Sequence, residues 1–321
     1  MIRVLHFGSY WQKENDIIFA MVKDLENMSD AFVVDTHLYD QDKYKYVIDD
    51  CSLSSLYPVR VIKNNVIQDA VEKLQPDAVI VNAGGMSLSD EMFLSLRAKK
   101  IKTIGISLSD PDVFPYNGKI YAKKFDFFYT NSKYSFLSQY KDANIDHLPF
   151  AASRCIHRPI KNEEKHDVII VGSYRQDRMN VVKALSIKFD VGIYGEGWTE
   201  MGVRNHGQVN GIEHLRALNS GRIYISFSKT VAGYNNVKVG LFEAAACKIC
   251  LVTEGFPEVY DYFEKDKEII TYSDINDLSK KITYLLGNEK VLENVTNKSY
   301  KRFLKDHTWE KRWTKVLSKI E

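Results

Sequence analysis

Short apolar segments rich in Val, Ile and Phe alternate along the chain with longer segments whose apolar residues recur at the helical period. This alternation is typical of βα units built around a parallel sheet. In the first half, the predicted strands are 2–7, 31–38, 77–82, 102–107, 126–130 and a short strand that ends at Leu148. The predicted helices are 14–27, 65–74 and 90–98, and Ser89 is the expected N-cap of the last one.

A second set of βα units follows a junction at which the periodicity is lost. The junction begins at Leu148, contains Pro149 and Pro159, and ends in the charged stretch 161–166. The predicted strands beyond it are 167–172, 191–194, 223–227, 249–253 and 268–271, and the predicted helices are 175–188, 211–218, 237–246 and 275–286. A helical tail begins near residue 291, and its last part, 308–320, is a separate segment.

The pattern therefore predicts an α/β protein with two doubly wound, Rossmann-like domains that face each other across a cleft. We place the first domain at residues 1–154, the second at 155–306 and a C-terminal helix at 307–321. The length of 321 residues agrees with two domains that each bury a core. Because such folds bind ligands at the carboxyl ends of their strands, we expect the functional residues in the loops that follow strands.

Composition and charge exclude several classes of protein. Hydrophobic residues make up 45% and charged residues 27%, which is far from the composition of a disordered or fibrous chain. The 44 Lys and Arg residues nearly balance the 42 Asp and Glu residues, which argues against a broad surface for nucleic-acid backbones. No apolar run is long enough to span a bilayer and no leader precedes the first strand, so we expect a cytoplasmic protein. Cys247 and Cys250 form a single C-x-x-C without further ligands nearby, which favours core packing over a zinc or redox site.

The turn after the first strand of the second half contains a glycine and two arginines. The glycine permits a tight turn and exposes N–H groups at a helix start, while the arginines supply charges that suit a diphosphate. The alternative is an ordinary β-to-α turn with solvated arginines. The candidate binding residues of this turn are Gly172, Ser173, Tyr174, Arg175 and Arg178.

Two further glycine-containing loops follow strands. His6, Gly8 and Ser9 close the first strand of the chain, and they are candidates for contact with an acceptor substrate. Gly195 and Val209 lie in loops after the second strand of the second half, where glycines let the backbone approach a flat ligand edge. No turn has the G-x-G-x-x-G spacing, so the dinucleotide fingerprint is absent.

The segment 226–255 carries the most informative pattern. A strand ends in small polar residues, a Gly/Asn loop follows, and Glu243 lies inside an apolar, Ala-rich helix. Because a buried carboxylate is costly without partners, we expect Glu243 to accept hydrogen bonds from ligand hydroxyls. The candidate binding residues of this segment are Ser228, Asn235, Asn236, Lys238 and Glu243.

Several motifs together resemble one enzyme family. They are the G-S-x-x-x-x-R turn at 172–178, the F-E-A-A-A-C helix at 242–247 with the T-E-G after it, and the terminal H-T-W-E-K-R-W at 307–313. With them, the second half resembles the donor domain of GT-B glycosyltransferases, in particular the CgeB-type (spore-maturation-protein-like) family. In the first half, D-F-F-Y-T-N at 126–131 and L-P-F-A-A at 148–152 resemble that family's last acceptor-domain strand and its crossover linker. The resemblance covers nearly the whole chain.

The resemblance implies roles for individual residues. Glu243 would bind the donor ribose hydroxyls, Gly172 with Arg175 and Arg178 would hold the diphosphate, and the backbone near Val209 would meet the base. It also implies that the C-terminal helix crosses back to the first domain. No metal ion and no cofactor beyond the nucleotide sugar is expected.

The chain departs from retaining relatives at one position. Those relatives carry a second acid eight positions before the glutamate, where this chain has Asn235. Lys238, after Asn236, is expected to supply diphosphate charge instead. The stereochemistry of transfer therefore stays open.

Asp110 and Asp112 follow a first-half strand in the sequence Ser-Asp-Pro-Asp, where two carboxylates would face the cleft. One interpretation is a turn or cap, and a second is an acceptor-side or general-base role, for which we choose them as candidate catalytic residues. A third is metal binding, since D-x-D is the metal triplet of a different glycosyltransferase fold, which the two-domain pattern contradicts.

Trp309 and Trp313 lie four residues apart, on one face of the last helix. This spacing predicts packing that sets the hinge between the domains. A membrane-surface role for the lysines and arginines around them is the alternative.

We therefore predict a glycosyltransferase, specifically a metal-independent hexosyltransferase. It would move a sugar from a nucleotide diphosphate sugar, with a UDP-sugar favoured, to an unidentified cytoplasmic acceptor, which is a protein, polysaccharide, lipid or nucleic acid. One alternative is a sugar-nucleotide 2-epimerase of the same fold. Another is a structural or assembly protein that keeps the fold without the chemistry.

Overall fold

The computed structural model describes residues 2–8, 17–35, 47–48, 60–83, 86–115, 118–140, 142–161 and 166–320. Its strands are β1 (Arg3–Gly8), β2 (Asp30–Asp35), β3 (Val47–Ile48), β4 (Arg60–Val61), β5 (Ala78–Asn82), β6 (Met86–Ser87), β7 (Lys102–Ser107), β8 (Phe127–Thr130), β9 (Ile145–His147), β10 (His166–Val171), β11 (Val191–Tyr194), β12 (Gly221–Ser226), β13 (Cys250–Glu254) and β14 (Ile270–Tyr272). Its α-helices are α1 (Ile17–Met28), α2 (Asn64–Leu74), α3 (Asp90–Ala98), α4 (Gly118–Tyr121), α5 (Lys133–Ser138), α6 (Gln176–Ser186), α7 (Ile212–Asn219), α8 (Val239–Ala246), α9 (Ile275–Gly287), α10 (Glu289–Asp306) and α11 (Trp309–Leu317).

Two parallel sheets organise the described residues. The first half forms a six-stranded sheet in the order β2-β1-β5-β7-β8-β9, and the second half forms a five-stranded sheet in the order β11-β10-β12-β13-β14. The strands β3, β4 and β6 pair in a small separate sheet. In the second sheet the order reverses between β10 and β12, so the loops after these two strands diverge and leave a crevice.

Helices cover both faces of each large sheet. Since successive residues of a strand point to opposite faces, neighbouring residues of one strand pack against different helices. In β1, Leu5 shares a buried cluster with residues of α2 and α3, while Val4 belongs to a cluster with residues of α1 and α11. In β10, Ile169 packs with residues of α7 and α8, while Val168 packs with residues of α6 and α9. The predicted doubly wound α/β architecture is confirmed.

The C-terminal helix α11 returns to the first half of the chain. Trp309 and Trp313 are each 1% exposed, and both lie in the cluster that covers one face of the first sheet. The indole Nε1 of Trp313 donates to the carbonyl oxygen of Met21 in α1 at 2.6 Å. The Arg312 guanidinium donates to the carbonyl oxygen of Pro149 in the segment that joins the sheets, at 2.9 Å. The predicted crossing and the packing role of the two tryptophans are therefore confirmed.

The predicted strands, and the helices between them, form to within two residues at each end. The exceptions are the start of 14–27 and the end of 31–38, which lie outside the described residues. Ser89 caps α3 as expected, since its Oγ accepts the N–H of Met92 at 3.1 Å. The short elements β3, β4, β6, α4 and α5 were not predicted, because they contain too few residues to show a period. In the part of the chain that is described, no helix combines the length and apolar character needed to cross a membrane.

We expect Trp313→Ala to destabilise the protein by about 3–5 kcal/mol, because it empties a filled core position and removes the indole hydrogen bond to the Met21 carbonyl oxygen. Urea unfolding followed by circular dichroism measures the loss. Lys311→Ala, at an exposed position of the same helix, is the matched control and should change stability by less than about 0.5 kcal/mol. A loss of equal size in both variants would contradict the packing role of Trp313.

Candidate functional site

A cavity of about 410 Å³ opens at the carboxyl edge of the second sheet. Its walls come from the loops that follow β10 and β11, the end of β12, helix α7 and the start of α8. It therefore lies beside the point at which the strand order reverses, where doubly wound folds bind their ligands.

Two glycine turns meet in the cavity wall. The N–H of Gly172 donates to the carbonyl oxygen of Tyr194 at 2.7 Å. Gly195 has a φ of +154°, and a Cβ on it would lie 2.2 Å from the carbonyl oxygen of Gly172, so no side chain fits there. Trp198 is completely buried and donates its Nε1–H to the same Gly172 oxygen at 2.9 Å. Trp198 thus stabilises the turn from inside the protein, and its ring is not exposed for a ligand to stack on.

Three cationic side chains converge on the cavity. Arg175 donates to the carbonyl oxygen of Thr230 at 3.2 Å, and Arg178 donates to that of Ser173 at 2.6 Å. Burial lowers the pKa of Arg178, and the charge of Arg175 lowers it further. Burial also lowers the pKa of Lys238 to about 8, and the two arginine charges add to this effect. Arg175 is also ion-paired with Asp177 at 3.0 Å, and the charge of Asp112 partly offsets that of the arginines at Lys238. An anionic ligand would relieve the remaining repulsion between Arg178 and its cationic neighbours.

Glu243 supplies a buried carboxylate to the same cavity. The residue is 4% exposed, and its two oxygens lie 3.5 Å from Nε2 of His157 and 3.4 Å from Nε2 of His214. Burial alone would raise the pKa of Glu243, but the two imidazoles hold it below its usual range. Burial lowers the pKa of His157, and the charge of Glu243 opposes this effect. Among the described residues, these three side chains place their ligand atoms within 4.8 Å of one another, the spacing at which a metal ion could be held.

The structure brings most of the predicted binding residues together. Those in the cavity wall are Gly172, Ser173, Arg175, Arg178, Gly195, Val209, Lys238 and Glu243. Tyr174 lies outside the wall and packs edge-on against Trp198. Ser228 and Asn235 also lie outside it and bond to each other, Oγ to Oδ1, at 3.1 Å. Asn236 instead donates to the carbonyl oxygen of Asp110 at 3.2 Å, so it joins the two halves of the chain, and its binding role stays a prediction.

Asp110 and Asp112 hold backbone and side-chain groups in place. The buried Oδ2 of Asp110 accepts hydrogen bonds from Thr130 Oγ1 and Tyr140 OH, each at 2.6 Å. Burial raises the pKa of Asp110. Asp112 accepts the backbone N–H groups of residues 231 and 232 at 3.1 and 2.7 Å. These contacts join the two aspartates to residues far away in sequence and are not those of a local turn or cap. The catalytic role of the two carboxylates stays a prediction.

The predicted acceptor-side residues lie at the end of β1. His6 is completely buried, and its ring meets the Trp313 ring edge-on with 6.4 Å between centroids. Burial lowers the pKa of His6 to about 3, so the imidazole is neutral at physiological pH. A Cβ on Gly8 would lie 2.9 Å from the side chains of both His6 and Asn82, so a side chain at position 8 would displace them. Ser9 lies outside the described residues.

Sequence reasoning missed His157, His214 and Tyr224. His214 and Tyr224 line the cavity, and a Cβ on Gly240 would lie 2.0 Å from the Tyr224 hydroxyl, so Gly240 admits this ring. One signal was present for His214, which is four residues before the buried Leu218 and so shares its helix face. No signal in the sequence relates His157 to the cavity.

The comparison with protein families decides the kind of protein. Residues 157–318, just over half of the chain, match the family model described as glycosyl transferase-like. The chain belongs to this glycosyltransferase family. No curated protein matches the sequence significantly.

Solved structures establish the GT-B fold of this glycosyltransferase. Sucrose-phosphate synthase from Thermosynechococcus elongatus has a TM-score of 0.67 at 13% identity, over 99% of this chain and 98% of that one. Anabaena HepE, solved with UDP and glucose, has a TM-score of 0.67 at 10% identity, over 99% and 100%. An alpha-glucosyltransferase solved with UDP and a 13-mer DNA containing an HMU base has a TM-score of 0.67 at 12% identity, over 99% of each chain.

The lowered pKa of Lys238 predicts a pH-dependent affinity for anions in this glycosyltransferase. With a pKa of about 8, Lys238 is protonated at pH 7 and loses its charge as the pH rises to 9. We expect the affinity for UDP, measured by calorimetry, to fall by up to about tenfold over that interval. Lys238→Arg stays charged throughout and should flatten the profile. A wild-type affinity that does not change between pH 7 and 9 would contradict a contact between Lys238 and the diphosphate.

Proposed function

We propose that this glycosyltransferase transfers a hexose from a UDP-sugar to an acceptor bound across the cleft. The observation that carries the proposal is a single cavity that combines three cations with one buried carboxylate. Cations suit a diphosphate, and an ionised carboxylate suits a pair of ribose hydroxyls. A nucleoside diphosphate presents both groups on one molecule.

The diphosphate would lie against Arg175, Arg178 and Lys238. These side chains share the cavity wall with Gly172 and Ser173, whose turn precedes α6. The start of α8 also reaches the wall, and its first N–H groups lack intrahelical partners. We propose that these protein charges balance the diphosphate, so that transfer needs no divalent ion.

The nucleoside would extend toward Glu243 and Val209, which line the same cavity. Glu243 would accept hydrogen bonds from the ribose hydroxyls, and the backbone near Val209 would meet the base. HepE and the alpha-glucosyltransferase, which share the fold, were solved with UDP, and this supports uracil as the base. The motifs shared with the CgeB-type family support the same donor arrangement.

Residues 1–154 would form the acceptor side, and residues 155–306 the donor side. The end of β1, with His6 and Gly8, and the turn with Asp110 and Asp112 belong to the acceptor side. Approach of the two sides would exclude water and orient the acceptor hydroxyl toward the anomeric carbon. The protein and its acceptor are proposed to be cytoplasmic.

A panel of UDP-, GDP- and dTDP-sugars tests this function. We expect UDP-sugars to raise the unfolding temperature most, because ligands that bind the folded state stabilise it. Product analysis of the stabilising donor should show UDP and a sugar joined to an acceptor, also in the presence of EDTA. A new sugar nucleotide formed without acceptor would instead show an epimerase, and the absence of any nucleotide-sugar binding would show a non-catalytic protein.

Glu243→Gln should weaken UDP binding by about tenfold or more, because the neutral amide accepts weaker hydrogen bonds than the carboxylate. Calorimetry with UDP measures the loss. Glu213→Gln, on an exposed residue of α7, is the matched control and should bind UDP as the wild type does. Unchanged affinity in Glu243→Gln would refute the ribose contact.

Arg178→Gln should act through the diphosphate and not through the nucleoside. We expect its affinity for UDP to fall by about tenfold or more, while its affinity for uridine stays near that of the wild type. Parallel titrations with the two ligands measure the difference. Equal losses for UDP and uridine would place Arg178 elsewhere in the site.

A further inference from the structure

Three segments far apart in sequence meet at the Glu243 carboxylate. His157 comes from the segment that joins the two sheets, His214 from α7 and Glu243 from α8. The side chain of His157 is 2% exposed, that of Glu243 is 5% and that of His214 is 15%. Each imidazole approaches a different carboxylate oxygen, through Nε2, at 3.5 and 3.4 Å.

The two imidazoles have no competing partner for these nitrogens. Within the described residues, both Nε2 atoms are shielded from solvent and make no hydrogen bond, and each lies 3.4–3.5 Å from an oxygen of Glu243. Glu243 likewise has no cationic side chain of Lys or Arg within 4.0 Å among the described residues. A buried carboxylate needs donors, and a proton on each Nε2 would make the two imidazoles its donors.

The three side chains stand in a fixed order relative to the cavity. Glu243 and His214 line its wall, whereas His157 does not and so lies on the far side of the carboxylate. An ionised carboxylate has about four lone-pair positions. With one position on each oxygen turned toward an imidazole, the remaining ones stay available to hydroxyl groups in the cavity.

We propose that His157 and His214 are positioning residues that hold the Glu243 carboxylate in the orientation in which it accepts both ribose hydroxyls. This inference rests on the proposed function, since it assumes that Glu243 meets the ribose. His157 fixes the rotation of the carboxylate from behind, and His214 fixes it from the cavity side. Neither imidazole is a catalytic residue, because the role of each is carried out through Glu243.

His157 also links the orientation of the Glu243 carboxylate to the segment between the sheets. Its backbone N–H donates to the carbonyl oxygen of Ser153 at 2.8 Å, in a turn whose Ser153 hydroxyl donates to the Asp24 carboxylate in α1 at 2.8 Å. The position of the imidazole is therefore set by the same segment that carries the chain from the first sheet to the second.

The test compares UDP with 2′,3′-dideoxy-UDP, which lacks both ribose hydroxyls. The wild type should bind UDP about tenfold or more tightly than the dideoxy compound. His157→Leu and His214→Leu should lose most of this preference, and His157→Leu, whose site lies outside the cavity wall, should keep its affinity for dideoxy-UDP and for pyrophosphate. His157→Gln and His214→Gln should restore most of it, because the glutamine amide can place an N–H near the position of Nε2. Glu213→Gln, next to His214 in sequence, should behave as the wild type does.

The outcomes separate this inference from the proposed function. If Glu243→Gln keeps the preference for UDP, the ribose contact itself is wrong. If Glu243→Gln loses the preference while both leucine variants keep it, or if the glutamine variants do no better than the leucine ones, the positioning role is wrong. If His157→Leu fails to fold, the comparison of His214→Leu with His214→Gln, at the more exposed histidine, tests the positioning role by itself.

A metal ion is the competing explanation for the same cluster. Chelator-treated protein should bind UDP with unchanged affinity, with or without added Zn²⁺. UDP binding that requires Zn²⁺, and that is lost in both the leucine and the glutamine variants, would overturn the positioning role in favour of a metal centre.

Discussion

The backbone contact between the turns after β10 and β11 is the constraint on which the site depends. Because the carbonyl oxygen of Gly172 occupies the space that a side chain at position 195 would need, the two loops lie closer together than a residue other than glycine at position 195 would allow. Trp198 closes the contact from inside by donating to the same oxygen. The turn that precedes α6, with Arg175 and Arg178, is thereby placed against the wall formed by the second loop.

The cavity keeps opposite charges apart, which is costly in a folded protein without a ligand. Arg178 and Lys238 are desolvated next to Arg175, and their pKa values are lowered as a result. Glu243 contacts two imidazoles and, in the part of the chain that is described, no Lys or Arg side chain; the imidazoles hold its pKa below the usual range. A strong ion pair between these groups would consume the charges that, under the proposed function, bind a nucleoside diphosphate. The proposed site would thus trade some stability for recognition.

The first half of the chain contributes to the site through the loop before α8. Asp112 accepts two backbone N–H groups of that loop, and Asn236 bonds to the Asp110 carbonyl oxygen. Tyr134 and Tyr234 stack across the two halves with 4.5 Å between ring centroids. Since Lys238 follows directly after this loop, its placement depends on both halves. Under the proposed function, closure of the cleft and organisation of the diphosphate contacts would therefore be linked.

The sequence by itself determined the two parallel sheets, because alternating apolar strands and amphipathic helices leave a periodic signal in each segment. It also indicated Gly172, Arg178 and Glu243 as candidate binding residues, since a glycine turn with arginines and a charge inside an apolar helix both differ from their local surroundings. The sequence did not show that Asp112 bonds to a loop of the other half, or that His157, His214 and Glu243 meet. Only the tertiary structure decided these contacts, because they depend on how separate elements pack across the cleft, and no local period relates residues so far apart.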